Sequence, residues 1–337
     1  IVGIFDTESR PPALVKGVET PVAYHLITGE RAEPARLTRG PLVGREGEVA
    51  RLQEDWACAQ AASLATGIVF RGEAGIGKSR LVAAAVDLAE RSGAAVLELA
   101  GSQRHADVGL YAVRRLIERR CGIERYSAPA DRLRLLSNEI DVRGLDRATT
   151  APLLAPVLGI GPQHGYQPVP AEGFRLQELI VAAVHQYLEA CLGEEAALVV
   201  AEDLHWFDSA SLVVLGGLLG ANPGSYLVVM TGRPDGWLDD GWPVTTFNLA
   251  PLTDAQTDEL VDQLDPAASA AQKAAIRQRC DGIPFYIEQV VAGLTETGVP
   301  ETLYEPLLAR LRASANAIPV VEAAAIIGRH LDSDLLC

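Results

Sequence analysis

The stretch RGEAGIGKSRL, Arg71 to Leu81, constrains the fold more than any other part of the chain. Gly72, Gly77, Lys78 and Ser79 satisfy the spacing G-x-x-x-x-G-K-[ST], preceded by an apolar run from Gly67 and followed by an alanine-rich run to Arg91. In a strand–loop–helix of this kind the backbone N–H groups of the loop cradle phosphate oxygens. The lysine reaches the β- and γ-phosphates, and the serine hydroxyl ligates Mg²⁺. The helix that starts at the loop adds the positive end of its dipole to the same anion site. Gly72, Gly75, Ile76, Gly77, Lys78, Ser79 and Arg80 are therefore the expected contacts of a nucleotide's phosphates.

From Pro41 onward, apolar runs without alternation recur at 67–71, 94–100, 196–202, 226–231 and 245–249. Runs of this kind suit parallel strands buried on both faces. Helical patterns lie between them, at about 79–91, 110–120, 174–192 and 209–219. The expected fold is α/β, a parallel sheet covered by helices with its ligand at the carboxyl ends of the strands. After Leu252 the pattern is helical only. Thr253 and Gln256 form a capping box, and two more helices are expected at about 268–279 and 284–294, with Gly282 as a stop and Pro284 as a start. Ahead of the sheet, 21–27 reads as a short strand needing a partner from absent residues or from the following domain, because one strand cannot stand alone.

Two further places carry chemistry. The strand ALVVAED ends in Glu202 and Asp203, carboxylates suited to holding the Mg²⁺ shell and to orienting the attacking water. Neighbouring residues on a strand point to opposite faces, so the two serve different roles, and which serves which is open. The strand YLVVMT is followed by Arg233, placed to touch a γ-phosphate. Lys78, Glu202, Asp203 and Arg233 are the candidate catalytic residues, and Ser79, Glu202 and Asp203 the candidate metal ligands. His205 and Trp206 read as packing or positioning residues, and His105 with Asp107 as a solvated loop pair.

The formal charge of -15 argues against nucleic-acid contact in this segment, because phosphate-backbone binding needs clustered Lys and Arg. Cys58, Cys121, Cys191, Cys280 and Cys337 have no metal spacing and read as buried thiols of a reducing cytoplasm. No apolar run approaches the ~20 residues of a membrane span. At 337 residues, about two domains or one with appendages are expected. The Ile1 start and Cys337 end read as those of a piece of a longer protein.

The blocks PLVGREGEVARL, RGEAGIGKSRL, LVVAEDLHWFDSASL, VVMTGRPD and DGIPFYIEQV, in that order, resemble the signal-transduction ATPases with numerous domains, the STAND class of AAA-like P-loop ATPases. The bacterial form attached to class III adenylate cyclases or LuxR-type regulators is the most similar. The resemblance implies that Val43, Gly44 and Arg45 lie against the adenine, that Pro284 approaches it from a helical lid, and that Arg233 is the first sensor arginine. Phe207 replaces the alanine common in the family's LHWAD block, and Asp208 keeps its acid. The opening LVKGVETPVAYHLI resembles the end of a class III nucleotide cyclase domain, and the tail from Thr302 the start of a winged-helix unit.

The implied domains are a cyclase-like remnant at 1–30, a linker at 31–40, a P-loop ATPase core at 41–252, a helical lid at 253–298 and a truncated winged-helix beginning at 299–337. The implied function is an ATP/ADP- and Mg²⁺-dependent cytoplasmic switch that hydrolyses slowly and regulates fused or neighbouring signalling domains, with self-association on ATP binding and no membrane contact. The alternative is a module that ADP or ATP stabilises without hydrolysis. A P-loop kinase or motor is a third reading.

Overall fold

The parallel sheet expected after Pro41 is present, and its strand order decides which loops meet. The computed structural model describes residues 5–13, 21–30, 40–61, 66–124, 126–220, 225–234 and 241–293. The chain divides into two compact units, Ile1–Leu42 and Val43–Cys337. Most of the expected linker and all of the expected winged-helix beginning lie outside the described residues.

In the first unit, β1 (Phe5–Ala13) pairs antiparallel with β2 (Val22–Glu30). The strand expected at 21–27 thus finds its partner just upstream, neither in absent residues nor in the next domain. Pro11 and Pro12 disguised that partner. They fall in the register irregularity between Arg10 and Ala13, where a missing N–H costs the ladder least.

Among the described residues of the second unit five strands follow: β3 (Thr66–Arg71), β4 (Ala95–Ala100), β5 (Ala197–Glu202), β6 (Tyr226–Gly232) and β7 (Val244–Asn248). They form one sheet in the order β4-β5-β6-β3-β7, with every pair parallel. All the residues of β6 are buried, which is why its sequence shows no alternation. The helices are α1 (Glu46–Gln60), α2 (Lys78–Arg91), α3 (Tyr111–Arg120), α4 (Pro129–Val142), α5 (Arg147–Val157), α6 (Gly173–Leu192), α7 (Ser209–Gly220), α8 (Asp254–Leu264), α9 (Ala270–Cys280) and α10 (Pro284–Gly293).

Helix α2 buries Leu81, Val82, Ala85, Val86 and Ala89, the i, i+1, i+4, i+5, i+8 stripe that docks its start against the sheet. Helix α1 presents Leu52, Trp56 and Ala59 to the core, which leaves Cys58 on the outward side. Cys58 is exposed, against the expectation of a buried thiol, while Cys121, Cys191 and Cys280 are buried. Cys337 lies outside the described residues. No helix among the described residues is long and apolar enough to cross a membrane.

The helices after Leu252 begin as their sequence dictates. Thr253 and Gln256 close a reciprocal capping box on α8, and Ser269 and Gln272 do the same on α9. Helix α9 ends in two left-handed residues, Asp281 (φ 46°) and Gly282 (φ 69°), before Pro284 opens α10 at its first position.

Candidate functional site

Strand β6 lies between β3, which delivers the glycine-rich loop, and β5, which delivers the carboxylates. All three chains leave the sheet at the same end because their strands are parallel. Gly77 takes φ 107° at the N-cap of α2, and a Cβ added there would meet nothing within 4 Å, so the loop opens onto free space ahead of the helix. The first turn of α2 carries no acidic residue to offset the positive end of its dipole.

Lys78 is half-buried, and its Nζ donates to Gly72 O and Glu73 O at 2.7 Å each. Burial pushes its ammonium below the ordinary lysine value; Arg233 adds to that effect, while Asp203, Glu73 and Glu202 oppose it. The Ser79 hydroxyl donates to Glu202 Oε2 at 2.9 Å. Burial pushes the Glu202 carboxyl up, and the neighbouring Asp203 and Glu98 charges push the same way, against the Ser79 hydrogen bond and Lys78.

Asp203 is exposed and sits in the left-handed region at φ 57°. Its N–H donates to Thr231 Oγ1 at 3.0 Å. The turn interrupts the strand alternation that would separate the two carboxylates, and both act electrostatically on Lys78. Arg233, at the exit of β6, lies over the Trp206 ring at 5.9 Å from its centroid, and the His205 and Trp206 rings are 4.8 Å apart. His105 is half-buried rather than solvated, stacked on Tyr111 at 4.2 Å with Ser102 Oγ at 3.0 Å from its Nδ1, whereas Asp107 is exposed. Asp208 accepts from Leu110 N and Ser211 N, so it ties the start of α3 to the start of α7 rather than reaching the loop.

A second convergence lies on the β7 side of the loop. Arg45 is buried and donates to Ile76 O at 3.2 Å and Ala250 O at 2.7 Å, with burial pushing its guanidinium below the ordinary value. Its guanidinium thus bonds main-chain carbonyls of the loop and of the segment between β7 and α8. Val43 is buried, and Gly44 lies against the Gln256 side chain of α8. Leu252 N donates to Gly282 O at 2.8 Å, and a Cβ on Gly282 would run into Leu252 O, so only glycine fits both this contact and its φ.

Helix α10 also touches the glycine-rich loop itself. Phe285 N donates to Gly75 O at 3.2 Å, and Arg80 pairs with Glu288 of α10. Pro284 is buried beside these contacts. A cleft of about 200 Å³ is lined by Gly72, Glu73 and Ile76 of the loop, by Pro234, by Asn248 at the end of β7 and by Leu249 just beyond it.

The sequence-marked residues thus form two groups: Lys78, Ser79, Glu202, Asp203 and Arg233 on the β5–β6 side, and Val43, Gly44, Arg45 and Pro284 on the side of β7, α8 and α10. Thr231, Asn248 and Glu288 were not singled out from sequence. Thr231 lies inside an apolar run, and Glu288 inside a helical pattern, where only the three-dimensional partner marks it.

A strand–loop–helix gripping its own lysine, with a carboxylate on the loop serine, two strands away in the sheet, defines a P-loop nucleotide-binding core. The chain belongs to the AAA ATPase domain family, whose profile matches residues 41–230, and nucleotide binding is what that family membership implies. An uncharacterised protein of Rhizobium meliloti (strain 1021) is 26% identical over 340 residues, spanning 88% of this chain and 30% of that protein. The chain therefore spans less than a third of the length of this relative.

Among solved structures, a STAND protein with a tetratricopeptide repeat sensor from Pyrococcus horikoshii is similar at TM-score 0.42 and 16% identity, covering 79% of this chain and 33% of that one. The Aeropyrum pernix ORC1 protein, solved in complex with DNA, is similar at 0.43 and 12%, covering 88% and 76%. Likenesses at this level transfer no function.

Proposed function

We propose that this chain is an ATP-binding, slowly hydrolysing signal-transduction switch of the STAND type, regulating an output domain attached to it. The observation that carries the reading is that one loop serves two partners. The glycine-rich loop that would hold the phosphates also receives the lid, through Phe285 N–H on Gly75 O and through Arg80 with Glu288. A ligand on that loop bears on lid position, and a switch requires only that its affinity differ between the two lid positions.

The residues present fit a magnesium nucleotide. A serine hydroxyl and carboxylate oxygens are the hard donors Mg²⁺ takes, and Mg²⁺ commonly uses one or two carboxylates with substrate phosphates and water supplying the rest. Bound there, Mg²⁺ would neutralise phosphate charge and fix the geometry of the β- and γ-oxygens. Ser79 and Glu202, already hydrogen-bonded to each other, are the pair we assign to it. That leaves Asp203, on its exposed turn, to orient the attacking water and take its proton as the water oxygen bonds to the γ-phosphorus and the bridging oxygen leaves with ADP.

Lys78 exchanges its two loop carbonyls for β/γ-phosphate oxygens. Arg233 leaves the face of Trp206 to pair with the γ-phosphate and so reports whether it is present. Val43, Gly44 and Pro284 would flank the base, with Arg45 fixing the carbonyls around it. In this reading the hairpin of the first unit is the end of a cyclase-like domain, the region beyond the lid starts a winged-helix unit, and ATP binding promotes self-association in the cytoplasm.

The test is the nucleotide content and turnover of the purified protein. Bound ADP or ATP, with slow phosphate release that Asp203→Asn abolishes while binding persists, supports the switch. Bound nucleotide with no phosphate release from the wild type means a non-hydrolysing, nucleotide-stabilised module instead.

A further inference from the structure

We infer that Thr231 is a positioning residue for hydrolysis: its buried hydroxyl, acting through the main chain, holds Asp203 in the turn that aims its carboxylate. The inference rests on the reading of Asp203 as the water-orienting group.

The β5–β6 ladder ends at Ala201 opposite Met230, one position short of Thr231. Beyond it, the Asp203 N–H bonds to no β6 carbonyl. It donates to Thr231 Oγ1 at 3.0 Å, a hydroxyl on a residue that is 1% exposed. A side-chain acceptor here replaces a ladder acceptor, and that substitution frees the backbone from the strand path.

Asp203 then adopts φ 57°, a conformation that costs a non-glycine residue about 1–2 kcal/mol and persists only where its surroundings enforce it. The enforcement comes from three directions. Thr231 holds the N–H. Trp206 N donates to Asp203 O at 2.8 Å, closing a tight helical turn behind it. Gly101, at the end of β4, donates its N–H to Glu202 O at 2.9 Å and has no Cβ, and a Cβ there would run into Asp203 O.

The geometric consequence is that both carboxylates act on Lys78 from different surroundings. Glu202 completes the strand and stays on Ser79, and Asp203, one residue later, is swung out of the strand to the exposed side of the site. An apolar residue of the same shape at 231 would fill the same buried space and leave the Asp203 N–H without its acceptor. The turn would then lose its anchor while Lys78, Ser79 and Glu202 keep theirs.

The experiment uses Thr231→Val, Thr231→Ser and, as an independent route to the same turn, Gly101→Ala. Amide hydrogen exchange at Asp203 is measured first in nucleotide-free protein. Thr231→Val should speed it by about 5–10-fold, the worth of one hydrogen bond, and Thr231→Ser should stay near wild type. With Mg²⁺ and ATP, Thr231→Val and Gly101→Ala should lower kcat by about 10–100-fold with nucleotide Kd changed by less than about threefold, and Thr231→Ser should recover most of the rate.

Unchanged Asp203 exchange in Thr231→Val overturns the anchoring. Accelerated exchange with undiminished kcat overturns the positioning role. A parallel loss of Kd and kcat marks a general structural role and also overturns it. If the wild type itself releases no phosphate, the hydrolysis reading fails and the positioning role with it; the exchange measurement then still decides, separately, whether Thr231 holds the turn.

Discussion

Arg80 and Glu288 join the second residue past the phosphate-loop lysine to the middle of the last lid helix, and removing either charge should loosen the lid by unequal amounts. Both side chains are about one-fifth exposed, at 23% and 22%. Exposed pairs are worth about 0–1 kcal/mol, and stripping one partner from a fully buried pair costs about 3–5 kcal/mol. At this exposure solvent screens part of the charge, so Arg80→Gln should cost about 2 kcal/mol of lid docking, because it leaves the Glu288 carboxylate half-buried without its cation.

Glu288→Gln should cost less, about 1 kcal/mol. Burial already pushes the Glu288 carboxyl above its ordinary value, and Arg80 opposes that shift, so a neutral amide sheds the desolvation along with the attraction. The double variant should be no worse than Arg80→Gln alone, giving a coupling of about 1 kcal/mol in a double-mutant cycle. The assay is amide exchange across α8 to α10 in nucleotide-free protein, in which about 2 kcal/mol appears as a roughly 30-fold faster opening. Equal costs for the two single variants, or additivity within about 0.3 kcal/mol, would refute the reasoning.

Two further outcomes concern protons. Because burial lowers the proton affinity of Lys78 in the ligand-free site, ATP affinity should fall as pH rises through that lowered value, and calorimetric Kd should weaken with rising pH, from neutrality towards the ordinary lysine range, more steeply than for Lys78→Arg. Glu202 has its folded proton affinity raised, so its contribution to stability is complete below the unfolded carboxyl value and is lost as pH rises through the folded one. Glu202→Gln should therefore be the more stable protein at neutral pH, with the advantage shrinking towards the ordinary carboxyl range of about pH 4 in thermal melts.

The strands and the glycine-rich loop were legible because they depend on local pattern: continuous apolar runs for β3, β5 and β6, and the fixed spacing from Gly72 to Ser79. The capping box at Thr253 is local too, and the structure forms it as written. Helix α5 is not marked by pattern because Pro152 and Pro156, ordinarily helix breakers, lie inside it. Helix α1 carries a sparse apolar face, Leu52, Trp56 and Ala59 among charged and polar residues, so its period is weak in sequence. The site's supports were illegible for a different reason. Arg45 on Ala250, Thr231 on Asp203 and Arg80 on Glu288 join segments far apart in sequence, and no local period encodes such a partner.

The most direct test of the switch is lid protection measured with and without nucleotide in one protein. Amide exchange of residues 252–293 should differ between Mg²⁺–ATP and Mg²⁺–ADP, and Lys78→Ala, which removes the ammonium from the phosphate loop, should abolish the difference along with tight binding. Identical lid exchange in the two nucleotides, with both bound, would contradict the account, as would nucleotide affinity unchanged by Lys78→Ala.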